Sequence, residues 1–192
     1  MRYTTIIVII LTVSLSFKAK SQQTLDEKNG FNKFQLGASI KDIKKLVKVN
    51  KSSFKDGKYY ERYFVNDIEE YKLFGYDLGS IQFIFYKERL LEIIVQLKDQ
   101  EFSSANVSIN DDITENIEKQ YGKFVTFPLT SRDKANAVIR KDKIIGSKLE
   151  LHRYIYALTR TGNFSSLIKG DTYSFISIPI NEQINKEDNG GL

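Results

Sequence analysis

The chain of 192 residues contains no cysteine. That excludes disulfides, thiolate metal sites, iron–sulfur clusters and thiol nucleophiles. Tryptophan is missing too, and there is a single histidine, His152. A Ser–His–acid triad would have to use that one imidazole, and no G-x-S-x-G elbow accompanies it. Neither G-x-G-x-x-G nor G-K-[ST] occurs, so no phosphate-cradling loop is legible. Only two prolines, Pro128 and Pro179, interrupt the chain. No cofactor or metal is expected from these residues.

What is present begins with an apolar run, Ile6 to Phe17, of twelve residues broken only by Thr and Ser. As a helix it would span roughly 18 Å, short of the ~30 Å hydrocarbon core of a bilayer. Arg2 precedes it, and Lys18-Ala19-Lys20-Ser21 follows, with small residues two apart. This order is that of a removable export signal over residues 1–21, cleaved after Ser21. The alternative for the same residues is an uncleaved anchor supported by the flanking lysines. The signal implies a periplasmic or secreted protein with no membrane span after cleavage.

Removal of the signal leaves 171 residues, one ordinary domain able to bury a core without covalent staples. It also lowers the net charge from +5 to +2, because 26 basic residues then face 24 acidic ones. Such a mixed surface is not the footprint of a nucleic-acid binder. One local excess stands out: Arg132, Lys134, Arg140, Lys141, Lys143 and Lys148 against Asp133 and Asp142. A solvated connector explains such a run. A docking spot for an acidic glycan, lipid headgroup or protein is the functional alternative.

Residues 22–30 are polar and read as a flexible N-terminus, with order from Phe31. Ser39 caps a helix whose first turn holds Asp42, and Ile40, Ile43 and Leu46-Val47 form its apolar stripe. Strands follow in "KYYERYFV", "YKLFGYDLG", "SIQFIFY" and "LLEIIVQL". A three-residue loop, Lys87 to Arg89, would face Phe85 with Leu91, Phe83 with Ile93 and Ile81 with Val95, all on one face; a two-residue loop would invert that match. "INDDITENIEKQYG" reads as a second helix, capped by Asp111 or Asp112, lined by Ile113, Ile117 and Tyr121 and stopped by Gly122. Residues 128–147 carry no clear pattern. "KLELHRYIYAL" and "YSFISIPI" read as strands, with Pro179 marking a sheet edge, and 183–192 as a disordered tail. The fold class is α+β, an antiparallel meander sheet with two amphipathic helices packed on one face. One domain covers 31–182, with a hint of two related halves, 31–100 and 101–182.

Catalytic constellations are scarce. Glu69-Glu70 and Glu88/Glu92 are carboxylate pairs of the kind any acidic-rich domain contains. His152 lies in an alternating strand on the side of Glu150, Tyr154 and Tyr156, which also suits a half-exposed strand histidine. Aromatics are the positive signal: eleven fall between Phe54 and Tyr86. Phenylalanines there suit strands and core. Tyrosines need partners for their hydroxyls, and Tyr beside Arg is the composition of a binding surface. The candidate binding residues are Tyr59, Tyr60, Arg62 and Tyr63, with His152 and Tyr154.

"FQLGASIKDIKKLVK", "GSIQFIFYKERLLEIIVQL" and "INDDITENIEKQYGKF", over residues 31–127, resemble the small exported α+β proteins common in Bacteroidota. A more distant likeness is to the β-lactamase-inhibitor-like fold and its outer-membrane assembly relatives. The chain lacks their lipidated cysteine and the tryptophan of the second half. The resemblance implies a non-enzymatic envelope or secreted module and transfers no functional residue. The expected function is a binding or scaffold protein that docks a protein or glycan of the cell envelope. Alternatives are an inhibitor or immunity-type protein acting on an extracytoplasmic enzyme, and a small carboxylate-dependent hydrolase. Mass spectrometry of the exported protein is expected to give Gln22 as its first residue; exported protein that still begins with Met1 would contradict cleavage.

Overall fold

The computed structural model describes residues 25–53, 59–98, 104–135, 138–159 and 167–189. The expected export signal, Phe54 and the last three residues lie outside them. A two-stranded hairpin, β1 (Gly30–Phe31) and β2 (Phe34–Gln35), precedes α1 (Ile40–Leu46). Then come β3 (Val49–Lys51), β4 (Tyr60–Val65), β5 (Lys72–Leu73), β6 (Tyr76–Tyr86) and β7 (Arg89–Leu97). The second half runs α2 (Ser104–Tyr121), β8 (Val125–Thr126), α3 (Ser131–Ala135), β9 (Val138–Ile145), β10 (Leu149–Thr159), β11 (Leu167–Ser177) and α4 (Ile178–Asn189). One antiparallel sheet has the order β3-β4-β6-β7-β11-β10-β9-β8, with β5 paired to β6. Each side of the sheet is a meander, and the two meet at β7 and β11.

The first face of the sheet carries the main core. Ile81, Phe83 and Phe85 of β6, Ile93 and Val95 of β7, and Tyr173 and Phe175 of β11 point there, with Leu149 and Leu151 of β10. α1 supplies Ile43 and α2 supplies Ile113, Ile117 and Tyr121 to the same cluster. Burial of each such side chain contributes about 1.5–3 kcal/mol. Ser39 caps α1 as its sequence requires, its hydroxyl accepting from the Asp42 N–H at 3.2 Å.

Three expectations are corrected. Helix α2 begins at Ser104, so Asp111 and Asp112 do not cap it; both are exposed in mid-helix. The C-terminal segment is not disordered from 183: α4 continues to Asn189. Pro179 consequently sits in the first turn of α4, where its missing N–H leaves no bond unmade, and the Ser177 hydroxyl accepts from the Ile180 N–H at 3.5 Å. Finally, order begins before Phe31. Residues 25–28 form a helical turn and Leu25 is 0% exposed within the core. Asp26 accepts from the backbone N–H groups of Ser147 (3.0 Å) and Lys148 (2.8 Å) in the β9–β10 turn.

The β6–β7 hairpin shows how face matching is kept. Its loop has two residues, Lys87 and Glu88, because Tyr86 pairs with Arg89. Phe83 nevertheless faces Ile93 and Ile81 faces Val95, since the register shifts between Ile84 and Phe85. Phe85 pairs with Leu90, and Leu91 becomes the extra residue of a bulge. Both loop residues have positive φ, 47° and 65°, as a tight primed turn demands. Neither is glycine, and a non-glycine residue held there costs roughly 1–2 kcal/mol. Glu88→Gly is therefore expected to stabilise the fold by about 0.5–1 kcal/mol after glycine's entropic penalty. A urea unfolding midpoint that falls instead would contradict this turn.

Candidate functional site

The second face of the sheet is built by the alternate residues of the same strands. Helix α4 lies over part of it: Ile180 and Ile184 pack on Ile84, Tyr86 and Leu91, with Tyr60, Ile94 and Ile176 around them. Tyr86 donates to Glu187, and Lys87 pairs with the same carboxylate at 2.7 Å. Those bonds hold Glu187 down to about 2.

Beyond this apolar seat the second face turns polar. Cross-strand partners place Lys141, Tyr154, Thr172, Gln96 and Ser80 in one row. The neighbouring row is Lys143, His152, Ser174, Ile94, Gln82 and Phe64. Hydroxyls, amides, an imidazole and two ammonium groups thus form a floor across adjacent strands, with α4 seated on the rows next to it. Ser80 donates to the Gln96 side-chain oxygen at 3.3 Å, and Ser174 donates to Glu92.

His152 is the most constrained member. It is 5% exposed, not half-exposed as its strand position suggests. Its Nε2 lies 2.5 Å from Glu150 Oε2, and its Nδ1 lies 2.8 Å from the Tyr154 hydroxyl. A neutral ring protonated at Nε2 satisfies both, donating to Glu150 and accepting from Tyr154. Burial lowers the His152 pKa below its ordinary value; Glu150 opposes this, while Lys143 and Lys141 reinforce it. Glu150 is itself held at about 2, first by the His152 hydrogen bond and further by the charge of Lys143. Lys143 reaches Glu150 at 3.4 Å, and Lys141 lies 5.3 Å over the Tyr154 ring.

The tyrosine-rich strand does not form one surface. Tyr63 is 5% exposed in the main core, edge-on to Phe85, with its hydroxyl donating to Glu61. Tyr60 and Arg62 fall on the opposite face, Tyr60 against Tyr86 in the α4 seat. Tyr59 is 47% exposed, and Lys87 lies 5.1 Å over its ring. His152 and Tyr154 therefore come together as expected, while Tyr63 is separated from Tyr59, Tyr60 and Arg62 by the sheet.

A polar cluster that sequence reading misses lies on the helix-covered face. Asp142, Arg153 and Tyr173 are cross-strand partners in one row, all buried. Arg153 pairs with buried Asp171 at 3.0 Å, and Thr126 donates to Asp142 at 2.7 Å. Burial opposes the charge on Arg153, yet Asp171, Tyr173 and Asp142 raise its pKa. Burial raises that of Tyr173 strongly. The available signal was Arg153 itself, a charge in the inward register of Leu149 and Leu151. Among the described residues, no group of three or more His, Asp or Glu is placed to hold a metal ion, and no helix is long and apolar enough to cross a membrane.

Fold and site together define an antiparallel α+β protein with a polar floor beside a C-terminal helix. No family model, curated protein or solved structure matches the chain.

Because the folded pKa of His152 is depressed, its contribution to stability is complete above pH 6.5 and is lost as the pH falls through its folded value. An NMR titration is expected to place the His152 midpoint below 6.5. Glu150→Gln is expected to move it lower still, since Glu150 favours the charged ring. An upward move would contradict the geometry.

Proposed function

We propose that the chain is an exported, non-enzymatic binding protein of the bacterial envelope that receives a glycan on its polar floor. The observation that carries this reading is the pair of rows from Lys141 to Ser80 and from Lys143 to Gln82. Sugar hydroxyls both donate and accept, and so do the half-buried side chains of Ser80, Gln82 and Gln96, whereas Thr172, Ser174 and His152 are themselves buried in the rows. Adjacent strands repeat them every ~4.8 Å, a spacing suited to equatorial hydroxyls on alternate carbons of a sugar ring. Tyr154 adds an aromatic edge, and Glu150, Lys141 and Lys143 add charge at the far end. Catalysis fits less well. Both nitrogens of His152 are occupied by neighbours two residues away, which leaves the imidazole no proton acceptor for a nucleophile.

Titration of isotope-labelled protein with soluble peptidoglycan fragments tests the reading. Amide shifts are expected at Gln82, Gln96, Thr172 and Tyr154, and the double variant Gln82→Ala/Gln96→Ala is expected to weaken binding about tenfold, the effect of one or two lost hydrogen bonds. Shifts confined to Tyr59 and Phe64, or no shifts at all, would refute a glycan floor.

A further inference from the structure

The outer edge of the second half combines two properties that the glycan reading leaves unused. Strand β8 pairs with β9 at Lys143 and Asp142, and Phe127 beyond it donates its N–H to the Lys141 carbonyl at 2.9 Å. Along this edge Val125, Ile139 and Ile145 are 59%, 47% and 44% exposed. Val125 is the cross-strand partner of Lys143, and Lys141, Lys143 and Ile145 alternate along β9, so these share the second face; Ile139 precedes them as the extra residue where the β9–β10 register shifts. The cations flank these apolar tips. Arg132 and Lys134 are exposed on α3, which packs against β9; Lys141 reaches back to Asp133 at 3.5 Å. Lys148 is exposed in the β9–β10 turn. Residues 125–148 hold six basic and two acidic residues, a net +4. The chain from Gln22 carries only +2 in all, so the remainder is acidic by two and the edge is polarised.

We infer that this edge docks on the surface of an anionic lipid bilayer, with Val125, Ile139 and Ile145 entering the headgroup layer and Arg132, Lys134 and Lys148 facing the phosphates. The charges sit on long side chains of a helix and a turn, and these three cations make no ion pair among the described residues. A rigid acidic protein would need them fixed, and an ionic dock would have no use for three exposed aliphatic tips. A bilayer needs no fixed geometry and accepts aliphatic tips just beneath its charge. The edge adjoins the outer ends of the floor rows at Lys141 and Lys143, but the inference does not depend on the glycan reading.

The chain beginning at Gln22 retains every element described, and co-sedimentation with vesicles reads the docking directly. Binding to phosphatidylglycerol–phosphatidylethanolamine vesicles is expected, with little to pure phosphatidylcholine, and with release in high salt as charges are screened. Arg132→Glu/Lys134→Glu is expected to lower partitioning about twentyfold or more, and Ile139→Ser/Ile145→Ser several-fold, both with unchanged circular dichroism. No binding to the anionic vesicles, or binding indifferent to charge reversal, would overturn the inference. So would equal binding of soluble polyglutamate that the isoleucine variants leave intact, which would assign the edge to an acidic polypeptide. Glycan titration of the same variants keeps the two proposals apart, since neither pair removes a side chain of the two floor rows.

Discussion

The antiparallel contact of β7 with β11 is the joint on which the molecule depends. Five residue pairs, from Thr172–Gln96 to Ile176–Glu92, unite the two meanders. On one face they set Tyr173 beside Val95 and Phe175 beside Ile93, which makes the main core continuous. On the other they set Ser174 beside Ile94 and Ile176 beside Glu92, joining the polar floor to the seat of α4. Because strand periodicity is two, a one-residue slip would carry Ser174 and Thr172 into the core and Tyr173 onto the floor. The core therefore dictates the register, and the register dictates the floor.

A second link between the halves comes from the start of the described chain. Leu25 is seated in the core and Asp26 binds the β9–β10 turn. The approach is close: a Cβ at Gly146 would stand 2.5 Å from Asp26 Oδ1. Burial raises the Asp26 pKa, but the bonds from Ser147, Lys148 and Leu149 lower it more, and the carboxylate ends below its ordinary value. Residues before α1 thus brace the turn that leads into β10, the strand that bears Glu150, His152 and Tyr154.

Legibility followed how local the cause was. The α1 cap, the stripe of α2 and the facing of Phe83 with Ile93 depend on neighbours a few residues apart, and the sequence displayed them. The bulge at Leu91 did not announce itself, although the requirement it meets, apolar residues on one face, was readable. Helix α2 opens with "SANVSIN", in which every residue but Ala105 is a middling or weak helix former, so the aspartates beyond it looked like the start. "YSFISIPI" is rich in β-formers and reads as one strand, yet β11 ends at Ser177. There the Ser177 hydroxyl and Pro179 open a helix that Ile180 and Ile184 hold down. Tyr63 was grouped with its neighbours by composition, but alternation sent it to the other side. Residues 128–147 defeated periodicity because β9 is apolar on neither face throughout: Asp142 lies in its core-facing register and Ile145 in its outward one.

That inversion of polarity makes the second half unlike the first. In the first half the row crossing β7 and β6 is Val95 and Ile81; continued into β11, β10 and β9 it becomes Tyr173, Arg153 and Asp142. A buried ionic row is a poor source of net stability, because desolvation offsets much of the attraction. Its geometric consequence is stronger. With Arg153 paired to Asp171 through one guanidinium nitrogen on one face and His152 bonded to Glu150 and Tyr154 on the other, β10 has polar commitments on both sides. A slip would strand a charge in the core and an imidazole among aliphatic side chains. Apolar alternation that would be too weak to hold β10 in register is replaced by paired polar contacts, and the same contacts leave its outward side chains set at fixed positions on the floor.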